Sequence, residues 1–370
     1  MKSKDYKIIL IITLVFITVF DFALRSYAEV HKIVSNPDSK FNFWNIVPYT
    51  KGEKSSMKLE PYLVFQGKRN EANNPLDKTR SRKRYYEPLN ENNNSSKILF
   101  LGGSVVENMS INLDRLEDSL SSNGYKYQFI NGGWSAYNIT QEFILLSQNI
   151  HTIKPQYVVL FDGFNDIWLS IYDRYPVGYP QHFKNIEMIN QYVDSPYASL
   201  INDLANRIFF VRYIKYKLSK SNTEITLNKE ENYSLISKYY NQYVKNIAAL
   251  CSFNNIKLIV IHQPSLYTKK ELSLEEIEWT RSHKFEWSFK GSYLKALNIM
   301  KDETKTLSSE LGFDYYDWST LFDQTNETIF YDMVHFQNKD HQKSFIADNI
   351  LVDGLKSFII ENYSNVSIVD

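Results

Sequence analysis

The sequence predicts an α/β fold of three layers, with helices on both faces of a parallel sheet. Three observations predict it. Short β-forming apolar runs alternate with helix-spaced segments between residues 97 and 360. The run Tyr157-Val-Val-Leu-Phe161 has no polar alternation, as expected of a strand buried on both faces. Several runs end in glycine-rich or polar turns, and open α/β sheets collect their ligands at that end.

Each element has its own signal. Lys97–Leu101 reads as a strand and Leu113–Leu120 as part of a helix. Tyr127–Ile130 is a second strand, followed by a helix over Ile139–Ile150 with apolar residues at helical spacing. After the Tyr157–Phe161 strand the rhythm breaks. Residues 167–231 are rich in Tyr, Pro and Asn and read as an insertion or cap. A helix over Tyr233–Phe253 and a strand over Ile256–Ile261 resume the pattern. Tyr293–Leu311 is helical with Gly312 as its stop signal, Phe313–Asp317 a fifth strand and Lys339–Ile360 a final helix. Strands joined through helices imply right-handed crossovers and therefore parallel pairing.

The 95 residues before this domain differ. Lys2, Lys4 and Lys7 precede the apolar run Ile8–Phe20, so residues 1–28 read as an N-terminal membrane anchor or signal segment, transmembrane or cleaved after Ser26-Tyr-Ala28. The basic flank holds the N-terminus inside and sends the rest out of the cytosol. Residues 29–95 form an extension and linker. Phe41–Trp44 and Glu60–Phe65 are candidate short strands or packing segments, and Asn90–Ser96 is a solvated linker. The basic run Lys78, Arg80, Arg82, Lys83 and Arg84 reads as an exposed loop, with contact to anionic lipid or an acidic glycan as its functional alternative. The α/β domain then occupies 96–362.

Composition excludes some classes. Lys+Arg and Asp+Glu are both 42, so the chain offers no general electrostatic footprint for nucleic acid. Cys251 is the sole cysteine, which excludes an intramolecular disulfide framework and a multi-cysteine metal site; in its apolar helix it reads as a small core residue. His151, His182 and His283 have no partner at ligand spacing, so neither metal nor cofactor is expected. His341 reads as an exposed helical residue. His262 ends the fourth strand and reads as a hydrogen-bonded structural histidine, with a pocket-lining role as the alternative.

Four motifs fall just after predicted strands: Gly102-Gly103-Ser104, Asn131-Gly132-Gly133-Trp134, Gly163-Phe164-Asn165-Asp166, and Asp332-Met-Val-His335. A serine hydroxyl is a poor nucleophile until a base takes its proton. His335 has the chemistry of that base, and Asp332 that of the group fixing its tautomer. Together, in this order, the motifs resemble the SGNH (GDSL-type) hydrolase family over residues 97–360. The resemblance implies a flavodoxin-like parallel sheet and a triad of Ser104, Asp332 and His335. It also implies an oxyanion hole built from the backbone N–H of Ser104, the backbone N–H of Gly133 and the side-chain amide of Asn165. Gly133 suits that role because a side chain there would crowd the acyl group. Gly103 stands where the family's commonest form has Asp, so this is a Gly-Gly-Ser variant. Asp166 is expected to be structural, capping a turn or helix.

The resemblance implies an exported serine esterase that cleaves acyl esters through an acyl-enzyme on Ser104. Acetyl is the expected group and a cell-surface glycan, or a small ester, the expected substrate. The 15% aromatic content suits a protein that stacks on sugars or fills broad grooves, with a rich core as the alternative. The cluster Trp134, Trp168, Tyr172, Tyr175 and Tyr179 suits sugar stacking, acyl binding or cap packing. An O-acetyltransferase with the same triad, a lipid or lysophospholipid esterase, and a non-catalytic glycan-assembly or glycan-binding protein on the same scaffold remain open.

Overall fold

The computed structural model describes residues 95–172, 176–181, 229–336 and 345–363, two strands at 57–60 and 64–67, and residues 13, 15, 16, 18–21 and 23. The chain divides into two compact units, residues 1–54 with 184–227 and residues 55–183 with 228–370. In the first, the described residues are helical, and Val15, Phe16, Val19 and Phe20 are exposed. Among the described residues no helix is long and apolar enough to cross a membrane. Most of the 1–28 segment, Phe41–Trp44, the basic run, Tyr175, His182 and His341 lie outside them.

In the second unit five strands form one parallel sheet: β1 (Ser96–Leu101), β2 (Tyr127–Asn131), β3 (Tyr157–Asp162), β4 (Lys257–His262) and β5 (Asp314–Asp317). Their spatial order is β2-β1-β3-β4-β5. The register pairs Leu99 with Ile130 on one side and with Val158 on the other. All six residues of β3 are buried, as its unbroken apolar run demands. Separately, Met57–Glu60 pairs antiparallel with Val64–Gly67, so Glu60, Val64 and Phe65 of the candidate Glu60–Phe65 segment lie in short strands.

The helices of this unit are α1 (Ser104–Asn108), α2 (Ser110–Ser121), α3 (Ile139–Ile153), α4 (Phe164–Ile171), α5 (Lys229–Phe253), α6 (Leu274–Ser282), α7 (Lys284–Trp287), α8 (Lys290–Leu311) and α9 (Phe345–Tyr363). Strand alternation sorts them into two layers. Tyr157 points at Tyr363 of α9, with ring centroids 5.2 Å apart, and α9 packs on α2. Asp162, five residues along β3, points the opposite way and accepts from Tyr240 Oη of α5 at 2.6 Å. There α5 packs against α3 and α8.

The strand order reverses direction between β1 and β3, and the crevice outside their C-terminal ends receives the loops that follow both strands. Two stretches differ from the sequence reading. Residues 167–171, read as the start of the insertion, belong to α4, which buries Phe164, Asp166, Ile167, Leu169 and Ser170. Helices α6 and α7 fill a stretch that no pattern had marked. Leu274 at the start of α6 is 85% exposed, so its apolar residues do not trace a clean stripe. The Ser273/Glu276 capping box was the legible signal there.

Glu276 does more than cap. It is fully buried and paired at 2.7 Å with the equally buried Lys269. Its Oε1 accepts the N–H groups of Ile329 and Phe330, both at 3.0 Å, and Lys269 Nζ donates to Glu327 O at 2.6 Å. The pair therefore holds residues 327–330, the lead-in to Asp332 and His335. Removing one partner strands a buried charge, so Glu276→Ala is expected to cost about 3–5 kcal/mol. Urea unfolding monitored by circular dichroism measures it, and a loss under about 1 kcal/mol would contradict the bracing role.

Candidate active site

Ser104 opens α1, immediately past the end of β1. His335, 231 residues later, brings Nε2 to 2.6 Å from its Oγ. The other ring nitrogen, Nδ1, lies 2.7 Å from Asp332 Oδ2. Asp332 Oδ1 accepts the N–H groups of Val334 at 2.9 Å and His335 at 2.7 Å, so the Asp-x-x-His spacing closes a small loop on its own carboxylate. A carboxylate at Nδ1 requires the proton there, which leaves Nε2 free to accept from the serine. Burial alone would raise the Asp332 pKa, but the bonds from His335 and Val334 outweigh it and hold the carboxyl below its ordinary value. His335 and Asp332 keep 23% and 30% side-chain exposure, so the pair is reachable from solvent.

Asn165 lies in the first turn of α4, just after β3. Gly163 makes the turn between them with φ +97°, a conformation that favours glycine. One Nδ2 hydrogen of Asn165 goes to Tyr137 O at 2.8 Å, and an amide has a second to offer. The same Nδ2 lies against Gly103, where any added Cβ would overlap it. The amide is thereby seated beside the residue preceding Ser104. This contact also gives the Gly-Gly-Ser sequence a steric reason.

Gly133 behaves differently from expectation. Its N–H donates to Asn131 Oδ1 at 2.9 Å and is not offered to a ligand. A Cβ there would come within 2.5 Å of Glu107 N, so the crowding that requires glycine comes from α1 and not from an acyl group. Asn131 Nδ2 in turn donates to Val106 O at 2.7 Å, which clamps the whole turn onto α1. Farther along, Ala136 adopts φ +59°, an uncommon state for a side-chain-bearing residue, within the turn closed by Tyr137 N–H on Trp134 O. Alanine carries no sequence signal for that conformation.

Beneath these loops lies a buried acidic cluster, of which the sequence reading anticipated only a structural Asp166. Glu142, Asp162 and Asp166 are all buried. Asp166 accepts the N–H of Ile139 at 3.2 Å, so it secures the start of α3 from the first turn of α4. Burial raises all three carboxyls, and for Glu142 and Asp166 the nearby Asp162 raises them further. The proximity of the Glu142 and Asp162 carboxyls in a buried site favours the protonated form of Glu142. The only hint in the sequence was a Glu on the apolar face of α3.

The remaining candidates sort by burial. His262 is fully buried, its Nδ1 3.0 Å from Tyr315 Oη, and burial pushes its pKa down to about 3. It packs beneath Gly163 and lines no opening. Cys251 is buried in α5, with its thiol pushed up to about 12. Trp134 is buried, and Trp168 is stacked between Phe164 and Tyr172, so their faces serve packing. Tyr179 is 39% exposed. His151 and His283 lie on the outer surface, and among the described residues no group of three or more His, Cys, Asp or Glu is arranged to hold a metal. A groove of about 410 Å³ between α5 and α8, floored by Asn241 and Leu307, involves none of Ser104, Asn165, Asp332 and His335.

No family model and no curated protein matches the chain. Among solved structures it is similar to an acetyl xylan esterase, at 14% identity over 71% of this chain and 100% of that one, with a TM-score of 0.43. A GDSL-like lipase from Bacteroides thetaiotaomicron is 11% identical over 72% of this chain and 88% of that one, with a TM-score of 0.39. A variant of an acetyl-xylooligosaccharide esterase from Geobacillus is 11% identical over 75% and 99%, with a TM-score of 0.42.

The buried cluster gives stability a pH dependence of definite sign. The Glu142 carboxyl titrates well above its ordinary value of 4.5 when folded, so the unfolded chain ionises first as pH rises. Its contribution is complete below that value and is lost as pH climbs through the folded pKa. Glu142→Gln keeps the shape without an ionisable proton. Thermal unfolding followed from about pH 4 to about pH 9 is expected to fall less steeply in this variant than in wild type. Equal slopes would mean that Glu142 is ionised in the fold.

Proposed function

We propose that the chain is a serine ester hydrolase of the SGNH type. The observation that carries this reading is the relay from Ser104 Oγ through His335 to Asp332, with contacts of 2.6 and 2.7 Å at the C-terminal edge of the sheet. In this reading His335 Nε2 takes the Ser104 proton as Oγ bonds to the acyl carbon. The carbonyl oxygen becomes an oxyanion, met by the Ser104 N–H and the free hydrogen of the Asn165 amide. When the tetrahedral species collapses, the bond from carbon to the alcohol oxygen breaks, and His335 returns the proton to that oxygen. Water then repeats the sequence on the acyl-enzyme, releasing the acid and restoring Ser104. Asp332, held as a carboxylate, stabilises the imidazolium at each stage.

The finer reading is an exported, membrane-anchored enzyme that removes acetyl groups from a cell-surface glycan. Its support is the N-terminal pattern of Lys2, Lys4 and Lys7 before the apolar Ile8–Phe20 run, together with the aromatic content of the chain. Transfer of the acetyl group to a sugar hydroxyl uses the same acyl-enzyme and differs only in the nucleophile that ends the cycle.

Turnover of a small acetyl ester and covalent labelling of Ser104 by a fluorophosphonate test the core reading. Ser104→Ala is expected to abolish both, and an unlabelled Ser104 in wild type would sink the proposal. Asn165→Ala is expected to lower kcat by about 10²–10³-fold. Asp332→Asn, which exchanges the tautomer-fixing carboxylate for an amide, is expected to lower it by about 10⁴-fold. Following acetate release against acetyl transfer with an added glycan acceptor separates hydrolase from transferase.

A further inference from the structure

The ring of Tyr331 lies almost parallel to the imidazole of His335, at 14° and with centroids 5.7 Å apart. Its N–H donates to His335 O at 3.0 Å, so the short loop fixes the two rings as a unit. The residue is nevertheless 42% exposed. An aromatic ring beside a polar site normally turns its faces inward, as Trp168 does between Phe164 and Tyr172.

The catalytic direction says which half of an ester would meet this ring. His335 Nε2 must return its proton to the departing alcohol oxygen, so that oxygen sits against the imidazole. The acyl carbonyl lies on the other side of Ser104, toward Asn165. A ring stacked on the imidazole therefore borders the alcohol half. Burial, and then the neighbouring Asp332 carboxylate, push the Tyr331 phenol up to about 12, so at neutral pH it remains an O–H that can both donate and accept. An apolar face with a hydrogen-bonding rim suits a ring-shaped polyol, whose C–H face is apolar and whose edge carries hydroxyls.

We propose that Tyr331 is a specificity-determining residue, a platform on which a pyranose ring bearing the ester stacks beside His335. This rests on the ester-hydrolase reading and narrows it to esters whose alcohol half is a sugar. It also adds to the aromatics singled out from sequence, among them Trp134 and Trp168, one that the sequence did not mark.

The test uses the full chain and two acetyl esters, peracetylated methyl glucopyranoside and trifluoroethyl acetate, whose alcohol is small and acyclic. The readout is the ratio of their kcat/KM values, glucoside over trifluoroethyl. In Tyr331→Ala this ratio is expected to fall about tenfold, the size of one lost aromatic stacking contact. In Tyr331→Trp it is expected to recover. If Tyr331 only braces His335, both substrates lose equally and the ratio stays, which overturns the platform; an unchanged ratio with no loss overturns it too. Binding of the glucoside to Ser104→Ala, with and without Tyr331→Ala, reads the platform without turnover. Unlabelled Ser104 with Tyr331-dependent binding would sink the esterase reading alone. Labelled Ser104 with Tyr331-independent binding would sink the platform alone.

Discussion

The loop that carries Asp332 and His335 has no regular secondary structure to hold it, and its shape depends on one buried carboxylate. Glu276 accepts from Lys269, from its own helix start at Ser273, and from the backbone at Ile329 and Phe330. A buried ion pair is poor evidence of net stability, because desolvation offsets much of the Coulomb gain. Its value here is directional. Charge-assisted bonds fix where an irregular segment enters the sheet edge, and an apolar substitute would not. Ser104 needs no such device, since β1 and α1 deliver it. The site thus joins a residue set by regular structure to two residues set by a salt bridge.

The other half of the crevice is organised by buried acids. Asp166 of α4 accepts the N–H at the start of α3, and Asp162 at the end of β3 accepts from Tyr240, a neutral donor. With Glu142 beside them, burial and mutual repulsion favour the protonated carboxyls. Asn165 rides on this scaffold, its amide oriented by Tyr137 O from one side and by the bare Cα of Gly103 from the other.

What could be read from the sequence follows from range. The strands, the long helices and the loops after them were legible, because buried strands and amphipathic helices leave periodic marks within a few residues. Ser104, Asn165, Asp332 and His335 were legible as motif positions at strand ends, and their approach across 231 residues is a matter of topology. The third oxyanion donor was misread at Gly133, since the same glycine spacing serves tight packing on α1 as well as ligand approach. Glu276 was legible only as a capping residue and Glu142 only as a Glu on an apolar helix face; their burial, and that of Lys269, was not, because a charged residue reads as surface until its partners are located. Tyr331 was missed for the related reason that 27 tyrosines give no one of them prominence.

The contact between Gly103 and Asn165 has a consequence for how this sequence can drift. The two positions lie 62 residues apart and share one small volume, so the seat of the amide is coupled to the residue at 103. Any side chain at 103 requires the Asn165 amide to shift from the place it holds here. Replacement of the glycine therefore moves a side chain two strands' worth of sequence away, and the geometry at 165 has to be read together with the residue at 103.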